Sequence, residues 1–373
     1  MLQESPKAPI IRLYKNGDEK AYVSLMTLVF PRYKCDIQRW RWEFVDSPLG
    51  SIQVFADFSG KVIGHMGLIC YPIKVGNHVV WGSQAVDLAV HPSFRRRGIF
   101  LQIGRKLMEE AAKRNIIISY GVPNEPAYRG HLKYGWFYVS EIPVLAKFLT
   151  KKGLILFVLV RILNFLRKPC VESVSKLFDL LKKLKKQFAV GHTKNIPCSH
   201  MYKKTILALF DEKADRLWEA ASEQYSLITV RNAKYLNWRY FNKPYSKYTV
   251  IAATGKNENE IDGFVVLAMD IYPVLKLKRG YIVDLLVKTE NVIHDLLQST
   301  LKYFIQEHVD IIICWAMKRH ILYKCLLEGG FIQDPFYSQK LICRINIDDS
   351  NFKKYFYRFE KNWYFMMGDS DLI

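Results

Sequence analysis

The sequence predicts an α+β fold, a mixed and mostly antiparallel sheet flanked by helices, laid down twice along one chain. Three observations carry that expectation. Short β-prone runs and helix-period runs alternate through the first 148 residues in the order strand, two helices, antiparallel strands, then strand, helix, strand, helix, strand. The same motifs return in the second half. Val86-Asp87-Leu88-Ala89-Val90 reappears as Val283-Asp284-Leu285-Leu286-Val287, Ile116-Ile117-Ile118-Ser119 as Ile311-Ile312-Ile313-Cys314, Gly135-Trp136-Phe137 as Gly329-Gly330-Phe331, and Trp40-Arg41-Trp42 as Trp238-Arg239-Tyr240, at offsets of 194 to 198. So many separated motifs at so steady an offset mark an internal repeat. Finally, 373 residues leave room for two domains that each bury a core.

The elements of the first half follow from local pattern. Ile10 to Tyr14 reads as a strand, and Gly17-Asp18 leads into a helix carrying Tyr22, Leu25, Met26 and Val29 on one face. Arg39 to Phe44 reads as a second short helix ended near Pro48. Ile52–Ala56 and Val62–Cys70 form a hairpin through Phe58-Ser59-Gly60-Lys61, followed by a strand around Val79 to Trp81 and another over Val86 to Val90. A helix follows in which Phe100, Ile103, Leu107 and Ala111 fall at helical spacing, with Glu109, Glu110, Lys113 and Arg114 on the other face. Ile116 to Tyr120 reads as a buried strand, Val122 to Pro126 as a turn, then a short helix to Lys133 and a strand from Trp136.

Composition narrows the function classes. Half the residues are hydrophobic, which excludes a disordered chain, and 55 Lys and Arg against 35 Asp and Glu give a net charge of +20, which points to an anionic partner. The seven cysteines contain no Cys-x-x-Cys pair, so neither a disulfide framework nor a zinc site is expected, and a reducing cytoplasmic setting is. Cys198-Ser-His200 has ligand chemistry but no second pair nearby. Met1 to Pro9 lacks the apolar core of a signal peptide.

The most informative stretch joins the strand Val86–Val90 to the following helix through His91-Pro92-Ser93-Phe94-Arg95-Arg96-Arg97-Gly98. A helix start offers backbone N–H groups without intrahelical partners, and three arginines beside it add charge, so a phosphate group suits this junction. The loop closely resembles the pyrophosphate loop of the GNAT acyl-CoA N-acyltransferase superfamily, in which Gln/Arg-x-x-Gly-x-Gly/Ala follows a strand. Arg95, Arg96, Arg97, Gly98 and Ile99 match the first five positions, and Phe100 departs from the small residue of the sixth. Asn124-x-x-Ala127 followed by Gly135-Trp136 resembles the family's fourth-helix motif, so the likeness covers residues 10 to 148.

That resemblance implies acyl transfer from acetyl-CoA or another acyl-CoA to a small amine or amino sugar, of the kind used in cell-surface polysaccharide biosynthesis, with no metal required. It implies cofactor contacts from Leu88, Ala89, Val90, Arg95, Arg96, Arg97, Gly98, Ile99, Phe100, Asn124 and Ala127. Because the attacking amine must lose a proton, Asp87 and Glu125 are candidate bases. The family supplies the thiolate's proton from a Tyr four residues before the Gly-aromatic pair. Here that position is His131, with Tyr128 one turn earlier as the alternative. Some tandem members bring the chain terminus to the active site, which makes the Ile373 carboxylate a further candidate base by resemblance.

The two halves differ chemically. Lys288-Thr289-Glu290-Asn291-Val292 stands where the first half has Phe94 to Gly98, without arginine or glycine, so residues 1–149 are expected to be the cofactor-binding GNAT domain and residues 191–373 a degenerate second copy. Between them, 150–190 reads as a basic helical connector. Residues 150 to 188 hold ten Lys or Arg against Glu172 and Asp179, with an apolar stripe of Val174, Leu177, Phe178, Leu181, Leu184 and Phe188. Such a helix suits peripheral contact with an anionic membrane or a place packed between domains, and its apolar run falls short of the roughly 20 residues of a membrane span. Two other functions stand beside the acyltransferase. One is a tandem-GNAT aminoacyltransferase using charged transfer RNA. The other is a non-catalytic CoA-binding module, with nucleic acid the weaker ligand because the charge clusters in the connector rather than around aromatics.

Overall fold

The structure, a computed structural model, describes residues 8–31, 33–167 and 202–371. The first half runs β1 (Ile10–Leu13), α1 (Asp18–Val29), α2 (Ile37–Phe44), β2 (Ser51–Phe58), β3 (Lys61–Val75), β4 (His78–Val90), α3 (Ile99–Lys113), β5 (Ile118–Gly121), α4 (Glu125–His131), β6 (Phe137–Phe148) and α5 (Lys151–Arg167). The second runs β7 (Lys203–Leu207), α6 (Glu212–Ser222), β8 (Leu227–Thr229), α7 (Ala233–Leu236), β9 (Tyr248–Thr254), β10 (Gly263–Tyr272), β11 (Leu277–Val287), α8 (Glu290–Gln306), β12 (Ile311–Trp315), α9 (Ile321–Glu328), β13 (Ile332–Ile345) and α10 (Ser350–Phe359). The strands expected at 79–81 and 86–90 are one strand, β4, because the intervening Gly82 to Ala85 stay paired with β3.

All the named strands belong to one sheet, ordered β1-β2-β3-β4-β5-β13-β6-β12-β11-β10-β9-β7 with β8 on β3. The halves exchange their last strands: β13 lies antiparallel to β5, and β6 lies antiparallel to β12. The sequence boundary near residue 149 is therefore not a boundary of the sheet. The halves also meet at a reciprocal tryptophan pair. Trp42 and Trp238 stack at 5.0 Å, and each indole N–H donates to the other's backbone carbonyl, at 2.7 and 2.9 Å. The residues that meet lie two positions from the Trp40/Trp238 alignment that the repeat suggests.

Local chemistry accounts for the helices around the junction. Gly98, at φ +74°, caps α3, whose Ile99, Ile103, Leu107 and Ala111 are buried on β2 and β3. Their four-residue spacing sets that face. Asn124 caps α4 by accepting from the Ala127 N–H at 3.0 Å. Phe100, the departure from a small residue, fills the gap to α4: a Cβ at Gly130 would meet its ring at 2.3 Å. The start of the connector packs inward, with Leu154, Leu156, Phe157 and Val158 of α5 against Ala146, Phe148, Leu277, Ile311 and Ile332. The stripe of Val174 to Phe188, Cys198-Ser-His200 and Ile373 lie outside the described residues. Among those described, no helix is long and apolar enough to cross a membrane.

Candidate active site

Strands β4 and β5 run parallel only from Gly82/Ile118 to Gln84/Tyr120. Beyond that they separate, since β5 ends at Gly121 while β4 continues to Val90. The separation coincides with a β-bulge, where the β3 register shifts between His65 and Gly67 and Asp87 takes φ +51°. A bulge of this kind bends the strand and re-aims its side chains. Ala85 to Val90 thus present a backbone edge with no strand on the β5 side, which is what an extended, amide-bearing ligand needs in order to pair.

A cavity of about 330 Å3 occupies the cleft, with Asp87, Leu88, Asn124, Ala127, His131 and Asp371 among its lining residues. Met26, Phe30 and Tyr33 close the α1 side. Past the edge comes the loop, in which Arg96 and Gly98 both hold left-handed backbone, at φ +63° and +74°. Successive N–H groups in such a turn, opening onto the start of a 15-residue helix, form an anion-binding concavity. Arg95, Arg96 and Arg97 are exposed; Arg95 donates to the Val90 carbonyl at 3.2 Å, and Arg97 lies over the Phe94 ring at 5.2 Å.

Asp87 is buried and accepts a hydrogen bond from Tyr22, whose hydroxyl is kept protonated by burial and by the Asp87 charge. The Asp87 carbonyl meets His65 Nδ1 at 2.9 Å, and burial pushes the His65 imidazole down to about 4. Glu43, fully enclosed, is pushed up to about 8 by burial and then by the Asp87 charge, with Arg39 Nε 3.6 Å away. Asp371 accepts from Gln84 Nε2 at 3.3 Å, and its carboxyl is raised by burial and by Asp87. Tyr22, Glu43, His65 and Gln84 carry no sequence signal of their own, and Asp371 is visible only as an acidic residue near the end of the chain.

Two of the candidate residues behave differently from expectation. His131 lines the cleft, but burial lowers its imidazole to about 4 and its Nδ1 meets the Ala127 carbonyl at 2.7 Å. With Nδ1–H donating there, Nε2 has no proton to give at neutral pH, so His131 is not suited to be the proton donor. Glu125 lies outside the cleft, exposed, with its carboxylate held by Lys340 at 2.6 Å and Arg129 at 3.1 Å, and these contacts lower its pKa. A carboxylate so stabilised as the anion is a weak base. Tyr128 sits one turn before His131 with Lys340 Nζ 4.4 Å from its ring centre. Asn124, Ala127 and Leu88 line the cleft, whereas Ala89 is buried in the β3 pairing.

Residues 10–139 match the family described as Acetyltransferase (GNAT) domain. That stretch of the first half is thus similar to a GNAT acetyltransferase domain. Solved structures share the fold across nearly the whole chain. A protein of unknown function from Enterococcus faecalis V583, described as a probable N-acyltransferase, has 13% identity over 91% of this chain and 73% of its own, with a TM-score of 0.60. A GCN5-related N-acetyltransferase from Anabaena variabilis ATCC 29413 has 12% identity over the same shares, with a TM-score of 0.61. One from Kribbella flavida has 13% identity over 90% and 71%, with a TM-score of 0.58. At these identities the likeness is one of fold. No curated protein matches this sequence.

The cleft between β4 and β5 has a geometric counterpart in the second half that is filled from within. β11 and β12 run parallel from Arg279/Ile311 to Ile282/Cys314 and then part. There the Tyr364 hydroxyl donates to the Leu285 carbonyl, the backbone group equivalent to Leu88. Asp284, the counterpart of Asp87, accepts from Arg231 Nε at 3.0 Å and from the Tyr240 hydroxyl at 2.8 Å. Arg231 also binds Asp369 at 2.7 Å, and Trp363 to Met366 are buried around it. No left-handed residue occurs at the start of α8, and Lys288 is paired with Glu260 at 2.6 Å. A larger cavity of about 870 Å3 lies between α5 and β10–β12, away from the loop and the bulge.

Proposed function

We propose that the chain is an acyl-CoA-dependent N-acyltransferase, an N-acetyltransferase acting on a small amine or amino sugar, built from two GNAT-like halves of which the first holds the cofactor. The observation that carries this reading is the unpaired edge of Ala85–Val90, opened by the bulge at Asp87 and continuous with the left-handed Arg96–Gly98 turn. The pantetheine amides would pair with Leu88 to Val90. The pyrophosphate would meet the N–H groups after Gly98, with Arg95 to Arg97 adding charge-assisted contacts.

The chemistry is acyl transfer. The neutral amine nitrogen attacks the thioester carbonyl, the C–N bond forms, the C–S bond breaks, and the sulfur leaves as thiolate. Two carboxylates at the cleft, Asp87 and Asp371, suit a cationic acceptor, first attracting it and then taking the proton that its nitrogen must lose. Tyr22 orients Asp87 from behind. With the His131 Nδ1 proton committed to the Ala127 carbonyl, Tyr128, one turn earlier on α4, is the candidate to protonate the thiolate. Contact of the connector with an anionic membrane and a cytoplasmic setting belong to the same proposal, the first resting on the charge of residues 150–188 and the second on seven cysteines without a Cys-x-x-Cys pair.

The deciding experiment is release of free thiol from acetyl-CoA across a panel of amines and amino sugars, beside a reaction with charged transfer RNA. Amine-dependent thiol release that falls by about 100-fold or more in Asp87→Asn is expected. Acetyl-CoA binding without turnover on any amine would leave a CoA-binding module. Aminoacyl transfer from transfer RNA would replace the proposal with the aminoacyltransferase.

A further inference from the structure

The second half brings together three side chains with metal-ligating chemistry that sequence spacing does not reveal. Glu290 and His294 stand one turn apart on α8, and Cys325 reaches them from α9. One ligand atom from each lies within 4.8 Å of the other two. His294 Nε2 is 3.7 Å from Cys325 Sγ. In a tetrahedral zinc site, with Zn–S of about 2.3 Å and Zn–N of about 2.0–2.1 Å, the S···N edge is about 3.5 Å. The pair is therefore already spaced for a shared cation, and only the exposed Glu290 side chain has to close in.

An ordinary thiol–imidazole hydrogen bond between helices explains less. It gives no reason for a carboxylate to converge on the same point. The location is also telling. In the first half, Phe100 on α3 and His131 on α4 pack edge to face at 5.3 Å. His294 and Cys325 stand 194 residues after those two, at the offset that carries Gly135 to Gly329. The aromatic contact between the two helices of the first half thus has a thiol–imidazole contact in its place in the second.

We propose that Glu290, His294 and Cys325 bind one divalent cation of the zinc class, which ties α8 to α9. One sulfur, one nitrogen and one oxygen donor disfavour magnesium and calcium, which take oxygen, and suit zinc or cobalt. Three protein ligands leave a fourth position for water. On binding, the Cys325 thiol releases its proton to solvent as the sulfur–metal bond forms, and the imidazole binds in its neutral form.

The test uses the full chain, washed with chelator and titrated with Co2+ and then Zn2+. One Co2+ per chain is expected, with a thiolate-to-cobalt charge-transfer band that Zn2+ abolishes, and with a higher melting temperature in the Zn2+-loaded protein. Cys325→Ser should remove the band. Glu290→Gln, at an exposed position that does not threaten the fold, should weaken binding by at least about tenfold, since even outer partners of metal ligands are worth that much. Cys198→Ser should change nothing. No cobalt–thiolate band in the parent, a band that survives Cys325→Ser or disappears in Cys198→Ser, or unchanged affinity in Glu290→Gln would each overturn the site.

Discussion

Replacing Gly98 by valine tests the cofactor loop at its most constrained point. Gly98 holds φ +74° at the start of α3, and a Cβ built there meets nothing nearer than Gln102 Nε2 at 3.8 Å. The cost of a side chain is thus one of backbone conformation rather than of space. Left-handed backbone costs an L-residue about 1–2 kcal/mol, and β-branched residues tolerate it least. If acetyl-CoA binds only the left-handed loop, that strain is charged against binding and the affinity of Gly98→Val falls about 5- to 30-fold, at 1.4 kcal/mol for each factor of ten. Gly98→Ala should fall near the lower end of that range. Calorimetric titration should give one site per chain, because the cleft of the second half is filled by Tyr364 and Arg231. Unchanged affinity in Gly98→Val, or two sites per chain, would refute the assignment of the cofactor to residues 88–100.

On the proton donor, Tyr128→Phe should lower kcat while leaving KM for acetyl-CoA nearly unchanged, and His131→Gln should cost less turnover; the opposite order in steady-state kinetics would return the role to His131. Acid stability follows from three imidazoles, His65, His131 and His320, each lowered by burial to about 4. Their folded values lie below the ordinary 6.5, so the unfolded chain binds more protons between pH 6.5 and 4, and stability is lost as pH falls through that window, by about 2 kcal/mol per group at pH 5. Glu43, raised to about 8, acts in the opposite sense, stabilising below its ordinary carboxyl range and less so as pH rises through 8. Urea midpoints should therefore drop between pH 7 and pH 5, and drop further in Glu43→Gln. A flat profile would mean that these imidazoles are not desolvated in solution.

The strand, loop and helix around Arg95–Gly98 were legible before any fold was known, because each rests on local chemistry: a β-prone run, a proline turn, a glycine able to adopt positive φ, and apolar residues at helical spacing. The matching residues at a steady offset between the halves are visible in the same way, since they require no folding to be seen. The sequence could not show that β13 crosses to lie beside β5, because that pairing joins Ile342 to Gly121, more than two hundred residues earlier, and neither strand's pattern names its neighbour. Nor could it show that His131 is neutral or that Glu43 sits near 8, because both depend on how completely water is removed around them. The same holds for Gln84 with Asp371 and for Glu290, His294 and Cys325. In each case ordinary residues far apart along the chain acquire their chemistry from the distances at which the packed sheet and its helices hold them.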